Sequence, residues 1–229
     1  MISPDSDLYR EYPDWAIHID EREGVQSRNQ MVLDLSRDEV CEYVINAVSD
    51  ILANANIEYV KWDMNRQLTD MPRLGYNHEY TLGYYKIMSA ITEKFPNILF
   101  EGCSAGGGRF DAGVLAYMPQ IWTSDNSDAI ARLKMQYSTS MCYPVYSISS
   151  HVTASPNHQC GRVTSLKTRA DVAYCGTFGY ELDVTKMSDE EFKEIKAQIK
   201  FEKRIQDLMC NGDLYRLINP YETNIAVGK

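Results

Sequence analysis

The sequence predicts an α/β fold of the (β/α)8 TIM-barrel class, present as about five β/α units and therefore incomplete. Three observations predict it. Short apolar, β-rich runs alternate with amphipathic helical segments, a rhythm that gives parallel strands joined by right-handed crossovers. Acidic and small residues gather where those runs end, at Asp63, at Cys103 with its glycines, at Asp125 and at His151; the C-terminal strand ends are where a barrel builds its site. The open, doubly wound alternative needs a phosphate loop, and none is found: Gly106-Gly107-Gly108 lacks both the G-x-G-x-x-G context and a following Gly-Lys-Ser/Thr.

The elements follow in order. Met31 to Leu35 is short, apolar and strand-like, and Ser36 with Glu39 three residues on reads as a capping box. The helix it opens should run to about Ala55, with Val40, Tyr43, Val44, Ala47, Ile51 and Leu52 on one face. Ile57 to Trp62 is a strand ending in Asp63. A helix from about Thr81 to Lys94 stops before Pro96. Ile98 to Phe100 is a strand leading into the glycine-rich stretch 102–108, and Gln120 to Thr123 is another, leading to Asp125. A helix over Asp128 to Gln136, strands at Val145 to Ser149 and Tyr174 to Gly179, and a long helix from Ser188 to Asn211 complete the set. The last opens on a second capping box, Ser188 with Glu191, and closes near Gly212.

Composition narrows the function classes. With 229 residues, 44% hydrophobic and 24% charged, the chain has the makeup of an ordinary globular protein. A formal net charge of -9, with no Lys/Arg cluster, argues against nucleic acid and against an anionic membrane surface, while a neutral ligand such as a sugar is compatible. No run of roughly 18 or more apolar residues appears, so no membrane span is expected. The polar, acidic start MISPDSDLYREYPDW is unlike a signal peptide. The six cysteines show no C-x-x-C spacing, so reduced thiols in a cytoplasmic setting are expected, and no zinc. Sixteen Tyr and three Trp could stack on pyranose faces, or could simply pack.

Asp63 and Asp125 end consecutive apolar strands. Paired carboxylates at a barrel mouth are the machinery of glycoside hydrolysis, one attacking the anomeric carbon and one moving the proton. The plainer reading is that both merely cap the following helices. Lys61, two positions before Asp63, faces the same side of the strand and would keep a carboxylate ionised. Asn65 could hold a sugar hydroxyl. His151 and His158 read better as structural histidines than as metal ligands.

Several strings resemble glycoside hydrolase family 36 α-galactosidases: Lys61-Trp62-Asp63-Met64-Asn65-Arg66, Cys103-Ser104-Ala105-Gly106-Gly107-Gly108-Arg109-Phe110-Asp111 and Trp122-Thr123-Ser124-Asp125-Asn126-Ser127-Asp128. Pro156-Asn157-His158-Gln159 with Gly161-Arg162, and Phe178 to Leu182, resemble the family too. The resemblance runs from Ser3 to Arg216. It implies a retaining α-galactosidase acting on raffinose, melibiose or related oligosaccharides without cofactor or metal. Asp63 would be the nucleophile and Asp125 the acid/base, with Asp128 a rival better suited to an N-cap. Arg28, Lys61, Asn65, Cys103, Gly106 and Trp122 would contact or line the galactose pocket, and the two carboxyl groups would stand about 5–5.5 Å apart.

The family also has an N-terminal β-sandwich, three earlier barrel strands with an Asp-Asp-Gly-Trp type segment for the galactose 4- and 6-hydroxyls, and a C-terminal β-sandwich. None is matched here, so residues 1–229 read as a single partial catalytic barrel domain. Ala112 stands where proline is usual. Two alternatives stand beside the hydrolase reading: a raffinose-synthase-like transferase as a close variant of it, and, from the incomplete barrel, a non-catalytic or split fragment that needs a complementing N-terminal chain or a homo-oligomer.

Overall fold

The computed structural model describes residues 1–222. The chain divides into two units, Met1–Met118 and Pro119–Lys229.

In the first unit, helix α1 (Asp7–Glu11) precedes α2 (Asp38–Asn54), strand β1 (Tyr59–Trp62), α3 (Tyr76–Lys94) and strand β2 (Leu99–Gly102). β1 and β2 pair in parallel, with Lys61 opposite Glu101 and Trp62 opposite Gly102. Tyr76, Tyr80, Tyr84, Ile87, Met88 and Ile91 form the buried stripe of α3, recurring every three or four residues as a helix face requires. α2 packs beside it through Val40, Cys41 and Leu52. Ile51 of the expected apolar face is instead 62% exposed. Tyr43 is largely exposed too, but its ring meets the buried Trp15 edge-on at 5.4 Å.

Three expectations are corrected in this unit. α3 begins at Tyr76, ahead of the expected Thr81. Met31 to Leu35 is not a strand of the parallel sheet. It is an extended stretch with two isolated antiparallel bridges, Met31 to Ile2 and Leu33 to Ala16, and its apolar side chains are buried. Ser36 and Glu39 do not form a capping box. The Ser36 hydroxyl donates to Asp34 (2.6 Å), and Glu39 accepts from Arg37, which occupies the N-cap position and also grips Asp14. The helix starts one position later than the box needs, so Glu39 falls in its first turn, bonding its own backbone and Arg37, instead of reaching back to Ser36.

In the second unit, β3 (Gln120–Trp122), α4 (Ala129–Thr139), β4 (Ile148–Thr153), α5 (Leu166–Ala173), β5 (Thr177–Glu181) and α6 (Asp189–Asn211) alternate, with every element except α5 expected from the sequence. β3 pairs with β4 and β4 with β5, both in parallel. Val152, Leu166, Ala170, Ala173 and Ile195 form a core shared by β4, α5 and α6. Three boundaries move. α4 runs on to Thr139, past the expected Gln136. Val145–Ser147 is a 3-10 turn that follows Pro144, so β4 begins at Ile148. Tyr174 closes α5, whose existence the sequence reading missed, and β5 starts at Thr177. Among the described residues no helix is long and apolar enough to cross a membrane.

The capping box of α6 forms as expected: the Ser188 hydroxyl accepts from the Glu191 N–H (3.2 Å), and Glu191 accepts from the Ser188 N–H (2.9 Å). Ser188→Ala should therefore destabilise the unit by about 1 kcal/mol. Chemical denaturation reads this as a lower midpoint at unchanged slope; an unchanged midpoint would contradict it.

Candidate active site

Asp63 follows the last residue of β1 and is exposed. Asn65 donates from Nδ2 to Asp63 Oδ2. Cys103, just beyond the adjacent β2 end, is 5% exposed and hydrogen-bonds Asp63. Burial first, and the Asp63 carboxylate second, push its thiol up to about 11. At neutral pH it is thus a neutral S–H donor toward Asp63 and not a thiolate competing with it. Lys61 Nζ lies 3.6 Å from Glu101 Oε1, as the strand register dictates. Glu101 is fully buried, and the Tyr59 hydroxyl donates to its other oxygen.

The glycine-rich stretch is a tight turn hung under Asp63. Ser104 donates from its hydroxyl to Met64 O (3.1 Å), and Ser104 N–H donates to Gly106 O (2.8 Å). Gly106 has φ +88°, a conformation that favours glycine, and is buried. The sequence motif around Arg109 does not by itself reveal the role of this side chain. Its Nη2 donates to Cys103 O (2.6 Å) and to Trp62 O (3.2 Å), the carbonyls just before the glycine turn and just before Asp63, while its guanidinium lies 4.7 Å from the Tyr84 ring centroid.

Arg28 is at the tip of a two-residue turn closed by reciprocal bonds between Ser27 and Gln30. Arg28 and Asn29 both have positive φ, 52° and 56°, as a type I′ hairpin turn demands of its central pair. Asn29 Nδ2 donates to Asp5 Oδ2 (2.6 Å). Arg66, 6% exposed, ties this region to the β1 end by donating to Val25 O.

In the second unit Asp125 sits in the loop beyond β3 and is exposed. Asp128 is 3% exposed; its Oδ2 accepts from the Ala131 N–H (3.0 Å) and from Arg162 Nε (3.1 Å), which is the N-cap role anticipated for it. Trp122 is 4% exposed, packed between the Arg132 guanidinium (4.0 Å to the ring centroid) and the His151 ring (4.8 Å). It supports the strand end more than it faces solvent. Arg132 and Gln159, which bind the Asp125 loop, were not singled out from sequence. The available signal was an arginine four residues past an N-cap aspartate, and its contacts reach across four positions of fold that no local pattern encodes.

The melibiase family model matches residues 1–212. The chain belongs to the melibiase family. It is 52% identical to the α-galactosidase AgaA of Geobacillus stearothermophilus over 99% of its own length and 32% of that protein's. It is 50% identical to the bifunctional α-galactosidase/sucrose kinase AgaSK of Mediterraneibacter gnavus, covering 99% of this chain and 24% of that one. The crystal structure of GH36 α-galactosidase AgaA superposes with a TM-score of 0.93 over 96% of this chain and 32% of that one. A variant of AgaA has been solved with raffinose and another with stachyose. This melibiase chain thus spans about a third of the length of the curated AgaA relative that it matches.

Proposed function

We propose that this chain carries the nucleophile and acid/base of a retaining α-galactosidase, on part of a (β/α)8 barrel. The carrying observation is that two exposed aspartates follow parallel strand ends in a chain 52% identical, over nearly all its length, to a named α-galactosidase. The substrate class is a galactosylated oligosaccharide, of which raffinose and stachyose are the examples bound by a relative.

Asp63 attacks the anomeric carbon as the bond to the aglycone oxygen breaks, and Asp125 gives that oxygen its proton. Asp125 then takes a proton from water, whose oxygen attacks the same carbon and frees Asp63. Asn65 and the neutral Cys103 thiol hold the Asp63 carboxylate in orientation. In this reading Lys61, paired with Glu101, and Arg28, at the tip of its hairpin turn, bind sugar hydroxyls. Gly106 lets the backbone approach the ring, and Trp122 backs the strand from which the Asp125 loop departs.

Raffinose incubated with the protein should release galactose whose first-formed anomer is α, read by proton NMR before mutarotation. A β anomer would reject the double displacement. A second reading is favoured by the 32% coverage of AgaA: these residues act only together with further barrel polypeptide, supplied by a complementing chain or a homo-oligomer. Galactose release that appears only on adding such polypeptide would select it.

A further inference from the structure

The loop that carries Asp125 has no regular secondary structure, yet four successive carbonyls in it are held by side chains. Ser124 O accepts from Arg132 Nη2 (2.6 Å), Asp125 O from Gln159 Nε2 (2.6 Å), Asn126 O from Arg132 Nε (2.9 Å) and Ser127 O from the Thr153 hydroxyl (3.1 Å). Arg132 contributes twice, gripping the carbonyls on both sides of Asp125. Its Nη1 also donates to the Thr123 hydroxyl (2.8 Å) and reaches Ser149 O on β4 (3.4 Å). Arg132 is 4% exposed, with its guanidinium over the Trp122 ring. A planar fork with five N–H donors can span strand end, loop and neighbouring strand in this way, and a lysine ammonium cannot.

We propose that Arg132 is the positioning residue for Asp125, fixing where the carboxyl sits by clamping the backbone on either side of it; this rests on the reading of Asp125 as acid/base. Proton transfer needs donor and acceptor within hydrogen-bond reach, and a misplacement of about 1 Å costs on the order of a hundredfold in rate. Arg132→Lys keeps the charge and loses the fork. A loosened acid/base hurts bond cleavage most when the aglycone is a poor leaving group, because an activated phenolate departs without a proton.

The test compares Arg132→Lys with the parent chain on raffinose and on 2,4-dinitrophenyl α-galactoside, with Asp125→Asn as the reference. The expected result is a kcat/KM loss of roughly a hundredfold on raffinose against less than about tenfold on the activated glycoside, the same pattern as Asp125→Asn. Equal losses on both substrates would overturn the positioning role. If Asp125→Asn itself shows no dependence on aglycone, it is the assignment of Asp125 that fails. Amide hydrogen exchange gives a second measurement that needs no turnover. Arg132→Lys, and more mildly Gln159→Leu, should speed exchange at Asn126 and Asp128 while leaving β5 protected, and unchanged exchange there would equally overturn the proposal.

Discussion

Asp63→Asn should abolish turnover, lowering kcat/KM by roughly 10⁴-fold or more, with the fold intact. The amide has the shape of the carboxylate but neither its charge nor its nucleophilicity, so the covalent step has no attacking atom. Asp63 is exposed and its partners, Asn65 and Cys103, both donate hydrogen bonds, so the substitution leaves no buried charge behind and empties no core volume. Melting temperature should move little. Asp63→Gly should regain activity with azide, the small anion entering from the face the carboxylate vacates and giving β-galactosyl azide. Parent-like rates for either variant would reject Asp63 as the nucleophile.

Gly83→Ala should destabilise the first unit, against the ordinary helix preference for alanine of about 1 kcal/mol. Gly83 lies inside α3, where its backbone touches the segment leading into α2. A Cβ there would lie 1.8 Å from Leu35 O, 2.8 Å from Leu35 C and 3.1 Å from Cys41 Sγ. The first two are backbone atoms and cannot rotate aside. The Cys41 thiol, meanwhile, donates to Leu35 O (3.2 Å), so the three residues form one tight contact between α3 and α2. Moving α3 off this contact should cost several kcal/mol net, beyond the usual 1–3 kcal/mol of overpacking because the clash is with backbone, and lower the melting temperature by roughly 5 °C or more. A raised or unchanged melting temperature would contradict this packing.

These two positions mark what was and was not legible beforehand. Asp63 could be found because a strand pattern ends there and the residues around it form a long, ordered motif. The parallel strands and long helices were legible for the same reason: the Tyr84 to Ile91 stripe and the α6 capping box are local signals, although α3 begins at Tyr76, ahead of the expected Thr81. Gly83 could not be read, since its importance lies in a backbone 48 residues away in sequence. The Ser36–Glu39 box failed because the helix starts one position later than the box needs. Met31 to Leu35 was misassigned because an apolar run shows burial but not which chain it pairs with. Arg109 and Arg132 share one invisible property. Each places a guanidinium under a strand end and feeds backbone carbonyls beside an aspartate, and only coordinates bring those carbonyls together.

As the nucleophile, Asp63 should form a covalent bond to the sugar. A 5-fluoro-galactosyl fluoride slows breakdown of that intermediate, so peptide mass mapping after brief exposure reads the attachment site. The predicted result is one added fluorogalactosyl mass on the peptide containing Asp63, absent from Asp63→Asn. An adduct on another carboxylate, with the Asp63 peptide unmodified, would contradict it.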